Sequence, residues 1–533
     1  MSPAANVWLW EFLSLCLIKE NFENPSIFRN FIARQAVTNS ESFRGSIGVP
    51  ISRLWWGLLP PDTEKKMYWW GFPSIGLGAV NEFLSMFLLY YYNQILGLSA
   101  ALVGLALFVS VVFDAISDPV IAYWSDRHQG EFGRRIPFMF LAIVPMTLSL
   151  LALFLIKLGD AEWLLFGQLT VLIVVFRVSQ TIFFVPRMAL GVELYKDYSE
   201  RNRLISVGQV CSLVGISLCM APILLIMPDW DQAHLYPWAA LWVAFLLGWS
   251  AWMGTSKLSA VEKNSFQSNR SGKVARFSWK QLQREAGALF LNKNWMTLLF
   301  AFLFFSLNGG IQGGDAIYFN NHLFKFSPSD LFWSGPLMVG GALAAAFLVS
   351  EVSKGKDKRT LVILSGSLSF VIAPLLVGLM AAERYFGFDL LPEAGGGVLS
   401  PLWWLWAFHG FLNGGIWVFF FIIVQSMFAD VVEEHQSMTN SRSDGLVLVG
   451  SNLVTKLVGS VGVLLAGVII KWAGFDEANS QELKEVAVYN LATIKVAVSL
   501  FLVPLGLLCL TRYTLSEKQH LSNLRNLGYE KEI

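Results

Sequence analysis

Twelve runs of roughly twenty mostly apolar residues recur along this chain, and they constrain its fold more than any other feature. A helix needs about 20 apolar residues to cross the hydrocarbon of a bilayer. In lipid every backbone N–H and C=O must be satisfied within the structure, so such runs can only be helices. They lie near 69–95, 101–124, 137–157, 162–189, 204–228, 235–254, 294–319, 329–351, 360–382, 401–428, 446–472 and 486–511. Residues 138–156 and 204–228 contain no charge at all. Composition closes off a soluble alternative: 55% of the residues are hydrophobic and only 14% charged, against about 25% charged in soluble domains. The expected fold is an all-α membrane protein of twelve transmembrane helices in two pseudosymmetric six-helix halves.

Lysine and arginine orient it. The loops after the second, fourth, sixth, eighth and tenth runs carry 19 of them, whereas the opposite side carries Lys157, Lys325, Arg384, Lys471 and Lys484. Basic loops stay cytoplasmic, so both termini are expected in the cytoplasm and the chain in the plasma membrane. The expected organisation is an extension over 1–66, dispensable for insertion and activity, a first half over 67–254, a basic linker over 255–293, a second half over 294–512 and a tail over 513–533. Residues 7–18 are too short an apolar stretch to span; an interfacial helix is the alternative reading. Asp126-Arg127 with Gly133-Arg134-Arg135 after the second run, and Lys354 to Arg359 after the eighth, form a faint repeat between the halves. Duplicated halves around a midplane site are a recurrent transporter design.

Several functions are excluded at this level. The net charge is +1, and no basic patch interleaved with aromatics points to nucleic acid. The four cysteines, at 16, 211, 219 and 509, form neither a disulfide framework nor a metal spacing. No nucleophile–base pair or phosphate loop appears, so neither an enzyme nor an organic cofactor is expected. Gly309-Gly310 and Gly313-Gly314 sit inside the seventh run, where small residues permit close packing or bending.

Charges inside spanning helices are the outliers, since each costs about 2.5–3.5 kcal/mol at a helix centre. Asp114 and Asp118 stand four apart and share one helix face. Two such carboxylates repel unless a cation or proton lies between them. Pro119 frees the carbonyl of Ala115, and Ser117 adds a hydroxyl. Hard oxygen donors of this kind suit Na⁺ or H⁺ as a coupling ion; the alternative is that these acids only pair with Arg or Lys of neighbouring helices.

Phe113-Asp114-Ala115-Ile116-Ser117-Asp118-Pro119, followed by Asp126-Arg127 and Gly133-Arg134-Arg135, resembles the signature of the glycoside–pentoside–hexuronide:cation symporters. These are major facilitator proteins typified by the melibiose permease. The resemblance continues through Tyr90 to Ser99, Val185-Pro186, Glu193-Leu194 and Glu200-Arg201, and returns in Phe428 to Val432, Arg442 to Gly445 and Lys456. It implies cation-coupled symport of a small solute, sugar-like in kind, and it carries a cation site over to Asp114, Ser117, Asp118 and Thr181 with Lys456 as the coupling lysine. Two carboxylates, one ammonium and one monovalent cation sum to zero charge. The sugar-binding positions depart from the pattern. Leu77-Gly78 replace a Lys-Asp pair, Phe184 and Met188 replace an Asp and a Trp, and Gln209 replaces an arginine. The cavity those residues line is therefore not expected to accept simple galactosides.

Other polar residues are candidates for a different cavity lining. Asn308, Gln312 and Asp315 make one stripe, His409, Asn413 and Trp417 another, and Glu82 lies one turn beyond Gly78. Each is equally open to a role in interhelical bonding. Arg177 and Arg187 are placed either to attract an anionic group or to pair with Asp114 or Asp118. Asp126, Arg127, Arg134 and Arg135 either gate the cytoplasmic side or are the ordinary basic tail of a membrane helix. A carrier of lysolipids or other amphiphiles, as vertebrate relatives of that family are, is the first alternative; a membrane sensor or embedded enzyme is the second. The expected partners are a small solute and the bilayer. The sequence leaves oligomeric state and the choice between Na⁺ and H⁺ open.

Overall fold

The computed structural model describes residues 65–515 apart from 129–132, 196–197, 269–286, 288–289, 354–355, 388–389, 440–443 and 479, with isolated positions beyond 515. The expectations for residues 1–64, including the 7–18 stretch and Cys16, lie outside the described residues, as does most of the tail.

The first half is built from α1 (Lys66–Ile95), α2 (Ala100–Arg127), α3 (Ile136–Leu155), α4 (Glu162–Leu194), α5 (Tyr198–Ile226) and α6 (Leu235–Ser268). The second comprises α7 (Lys293–Gly313), α8 (Pro328–Val352), α9 (Lys358–Phe386), α10 (Pro401–Thr439), α11 (Asp444–Trp472) and α12 (Gln481–Leu510). All but α11 are long and apolar enough over described residues to cross a bilayer. Large apolar side chains face outward, as with Leu141 at 67% and Ile226 at 70% exposure, which suits a hydrocarbon solvent and not water.

The halves repeat one packing scheme. In the first, α1 lies on α5 and α6, α4 on α2 and α3, and α3 on α6; adding six to each number gives the contacts of the second. The two seams between them are related in the same way, α2 against α11 and α8 against α5. Side chains repeat the symmetry too. Arg135, at the start of α3, pairs with Glu193 near the end of α4 at 2.7 Å. Lys358, at the start of α9, pairs with Asp430 on α10 at 2.7 Å.

Several helix limits differ from those read in the sequence. The seventh run does not continue to 319. α7 stops at Gly313, and after a turn at Gly314-Asp315 a separate segment covers Ala316–Leu323. The ninth run is broken between Ile372 and Leu375, because Pro374 cannot donate a helical hydrogen bond. α6 runs on to Ser268 and α10 to Thr439. A helix may leave the hydrocarbon without ending, so hydropathy locates the membrane and not the helix terminus. The chain beyond α12 also begins docked: the Thr514 N–H donates to Asn294 Oδ1 at 2.9 Å, and Tyr513 is buried.

Gly310 is where α7 and α11 meet. A Cβ there would overlap the backbone of Gly459 and approach Gly462, whereas one on Gly309 would meet nothing within 4 Å. Overpacking of such a contact costs about 1–3 kcal/mol. Gly310→Leu is therefore expected to lower the melting temperature of the detergent-purified protein by several degrees, and Gly309→Ala to leave it unchanged. Equal melting temperatures for the two variants would contradict this account of the α7–α11 contact.

Candidate functional site

A cavity of about 450 Å³ lies between the halves, walled by α1, α2 and α4 on one side and by α7 and α11 on the other. Its charged lining residues are Asp114, Asp118, Arg177 and Lys456. α2 presents both carboxylates on one face, and α11 brings Lys456 to them from the opposite half. The ammonium lies 3.1 Å from Asp114 Oδ2 and 3.3 Å from Asp118 Oδ2. Thr181 on α4 donates its hydroxyl to Asp114 Oδ1 at 2.5 Å. Three helices thus converge on one carboxylate, which is buried, while Asp118 is part-open to the cavity. Ser117 is turned aside: its hydroxyl donates to the Asp114 carbonyl at 3.0 Å in its own helix. Among the described residues no three His, Cys, Asp or Glu side chains gather as ligands for a metal.

Of the residues singled out as lining a solute cavity or attracting an anion, Leu77, Arg177 and Phe184 line this cavity and the others lie outside its lining. The stripe on α7 faces its own half. Asn308 is buried and accepts from Ser499 at 3.0 Å, Asp315 is buried and paired with Lys495 at 2.7 Å, and Gln312 is half-buried outside the lining. Packing of α7 on α12 absorbs that polar face, and the glycine face, Gly309 to Gly314, turns to the cavity instead. His409 Nε2 lies 2.8 Å from the Ile372 carbonyl, which the break in α9 leaves without a helical donor. Trp417 stacks on Phe420 at 5.9 Å, and Asn413 beside it is half-buried. Met188 packs on the core of the first half, Gln209 is exposed on α5, and Glu82 is half-buried outside the lining.

The cavity's polar groups stand one turn away from the expected positions. Asn81 and Ser85 follow Leu77 on α1 at four-residue intervals, and Gln180 precedes Phe184 on α4 by the same step. Gln180 Nε2 donates to Asn81 Oδ1 at 2.9 Å. The i, i+4 spacing of helix faces was the signal available for finding them. Arg187 contacts neither acid: it donates to the Trp70 carbonyl at 2.9 Å and to Ser74 Oγ at 2.6 Å, and stacks on the Trp70 ring.

Asp126, Arg134 and Arg135 join helix ends of the first half. Arg135 bridges Asp126 at 3.0 Å and Glu193 at 2.7 Å, and Arg134 reaches Glu193 at 2.6 Å. Arg127 stacks on Tyr123 of its own helix. These described contacts are internal to one half.

At the other end of the bundle, hydrogen bonds cross between the halves. Asp476, just beyond α11, accepts from Ser99 Oγ at 2.6 Å, from Asn93 at 2.9 Å and from the Ala100 N–H at 3.1 Å. A carboxylate of one half thus caps the start of α2 in the other, a favourable place for negative charge. Tyr318 donates to Asn93 at 2.7 Å, Asn321 to the Tyr90 hydroxyl at 2.8 Å, and Trp230 to the Phe326 carbonyl at 2.9 Å. His322 is buried against Phe475, with no hydrogen-bond partner for either ring nitrogen among the described residues.

Two symmetric six-helix halves with a charged cavity between them define a transporter of the major facilitator type. Residues 69–517 match the family described as MFS/sugar transport protein, and the chain belongs to that family. It is a multi-pass membrane protein that moves a small solute. It is similar to the uncharacterized symporter sll1374 of Synechocystis, at 33% identity over 179 residues, a match spanning 32% of each chain. The inner membrane symporter YicJ of Escherichia coli is 20% identical over 449 residues, covering 82% of this chain and 88% of its own. Among solved structures, a bacterial homolog of the human lysosomal transporter Spinster, inward-facing and unoccupied, aligns with a TM-score of 0.56 at 13% identity over 86% of this chain and 96% of its own. The nucleoside transporter NupG aligns at 0.53 and 12% identity, over 84% and 99%. Both structural likenesses concern the fold.

Two outcomes follow for the latched end. Hydrogen bonds to a charged group contribute about 1.5–3 kcal/mol each, so Asp476→Ala is expected to shift the population toward opening there by at least tenfold. Spin-label distances between Asp160→Cys in the first half and Glu477→Cys in the second would report it, since neither residue bonds to Asp476; an unchanged distance distribution would rule out Asp476 as a latch. His322 gives the pH dependence. Burial, and after it the Lys484 ammonium, holds its imidazole down to about 4 from an ordinary 6.5. Between those values a hydrated imidazole takes up a proton that the buried one refuses. Acidification below about 6.5 therefore weakens the packed state, by up to roughly 1.4 kcal/mol per pH unit down to about pH 4. His322→Phe should flatten the fall in melting temperature over that range, and an identical fall in the variant would exclude this origin.

Proposed function

We propose that the chain is a cation-coupled symporter of the glycoside–pentoside–hexuronide type, carrying a small polar organic solute by alternating access. The observation that supports it best is the bridge of Lys456 to Asp114 and Asp118, with Thr181 on Asp114, in the wall of a cavity between the halves. The cavity's 450 Å³ falls within the ~300–1,000 Å³ of small-molecule sites. In this reading Lys456 holds the place of the driving ion. When Na⁺ or H⁺ binds the carboxylates, the ammonium is released, the seam between α2 and α11 loosens, and the occupied carrier rocks to the other side.

The excess of basic residues on one side favours a plasma-membrane protein with both termini in the cytoplasm and the end latched by Asp476 outside. Arg135 with Glu193 and Lys358 with Asp430 would then brace the cytoplasmic helix ends of each half, so that each moves as a body. On the same reading, residues 1–66 are a dispensable extension and the basic stretch within 255–293 links the halves. A second reading, transport of an amphiphile, draws on the apolar part of the lining, Leu84, Leu88, Leu107, Val111 and Phe184.

A thermal-shift screen of the purified protein against sugars, uronides and lysolipids, with and without Na⁺, would separate these readings through linkage of ligand and ion. Uptake into vesicles under an imposed Na⁺ or H⁺ gradient would then test the ion site. Asp114→Asn and Asp118→Asn are each expected to abolish accumulation, while exchange down a gradient persists in Asp118→Asn. Lys456→Ala should shift transport toward lower pH, because the remaining carboxylates gain proton affinity. If both Asn variants concentrate solute as well as the wild type does, the ion-site assignment is wrong.

A further inference from the structure

We infer that the solute carries one negative charge and that Arg177 is the residue that binds it. Arg177 lines the cavity from α4, one turn before Thr181. A guanidinium has five N–H donors. Among the described residues Arg177 makes one hydrogen bond, from Nη1 to Gln180 Oε1 at 3.3 Å, within its own helix. Its Nε is buried and has no acceptor among them. Neither cavity carboxylate reaches it within ion-pair distance, because Lys456 bridges both. An unanswered buried donor on a cation is expensive unless a ligand completes it, and a planar guanidinium is matched by the two oxygens of a carboxylate or a similar oxyanion.

Charge balance points the same way, and here the inference rests on the cation-coupled reading. Among the described residues, Asp114, Asp118, Arg177 and Lys456 are the cavity's charged lining, and together they sum to zero. Loading a monovalent cation alone would leave one uncompensated positive charge in a low-dielectric site, which is costly. A neutral solute cannot relieve that; a monoanion restores zero. The loaded carrier, like the empty one, would then cross without net charge in the cavity. The rest of the polar lining suits a hydroxylated body attached to the anionic group. Gln180 orients the guanidinium and also donates to Asn81 Oδ1 at 2.9 Å, which leaves the Asn81 amide N–H groups and the Ser85 hydroxyl facing the same space from α1.

The test compares matched probes that differ only in charge: glucuronate against glucose, and glycerate against glycerol. Binding to the full-length purified protein is measured by calorimetry and thermal shift, in Na⁺ and at low pH. In the wild type the anionic member of at least one pair should bind ten or more times tighter than its neutral partner. Arg177→Gln should weaken that anion by about 10–100-fold and leave the neutral partner within about twofold, and Arg177→Lys should restore part of the loss. Uptake of the anion driven by the cation gradient should be insensitive to membrane potential. The inference is overturned if the neutral member of each pair binds as tightly as the anion, if no anion of the set binds, or if Arg177→Gln leaves anion affinity unchanged. Cation-stimulated uptake of a neutral solute would sink it while sparing the symport reading. Anion binding through Arg177 with full accumulation in Asp118→Asn would do the reverse.

Discussion

Two carboxylates one helical turn apart cannot remain bare inside a membrane protein, and the positive charge that answers them here comes from the other half of the molecule. Asp114 and Asp118 belong to α2, whereas Lys456 belongs to α11. Their bridge is therefore both the electrostatic solution to a buried charge pair and a bond across the seam on which the halves must move. Breaking it without a substitute would leave the buried Asp114 carboxylate uncompensated, which is costly. Exchange of the ammonium for a small cation is a far cheaper route. A site built this way ties the mobility of the seam to its occupancy.

The fold was legible in the sequence because its constraint is so coarse. Twelve apolar runs, their spacing and the asymmetry of Lys and Arg yield the two halves, since lipid permits no other backbone solution. The pair at Asp114 and Asp118 was legible for a related reason, as charge in hydrocarbon is too costly to be idle. What the sequence concealed was direction. Asn308 and Asp315 form as clear a stripe as Asp114 and Asp118, yet Ser499 and Lys495 of α12 take them up. A polar stripe shows that partners exist and not whether they are protein or solute. Lys495, half-buried on α12, is the partner that turns the stripe inward.

The replaced sugar positions misled in a second way. Leu77, Gly78 and Phe184 are apolar, and taken alone they describe a cavity stripped of ligands. The polar groups are present one turn away, in Asn81, Ser85, Gln180 and Arg177. A helix offers equivalent positions every three or four residues, so a binding wall can be rebuilt along the same face while position-by-position comparison registers only losses. Glycines on α7 complete that wall from the other half, giving depth where a side chain would fill the space.

The seam between α2 and α11 holds the remaining step. The helices run antiparallel, so the middle of the pair is tied by Lys456 to Asp114 and Asp118, and one end by Asp476 to the start of α2. Between the ties the backbones are in direct contact, with Gly467 against the Ala100 carbonyl and Gly104 against Leu464, a fit that tolerates rocking better than sliding. The two ties differ in chemistry. Asp476 binds neutral donors and an N–H group, which a monovalent cation does not displace in kind, whereas Lys456 is itself a cation and competes directly with one. On the proposed reading, ion binding therefore acts on the tie at mid-seam only and leaves the latch as the barrier that solute binding must still help to cross. Such an order would keep an ion alone from opening the path, and that is the property that separates a coupled carrier from a leak.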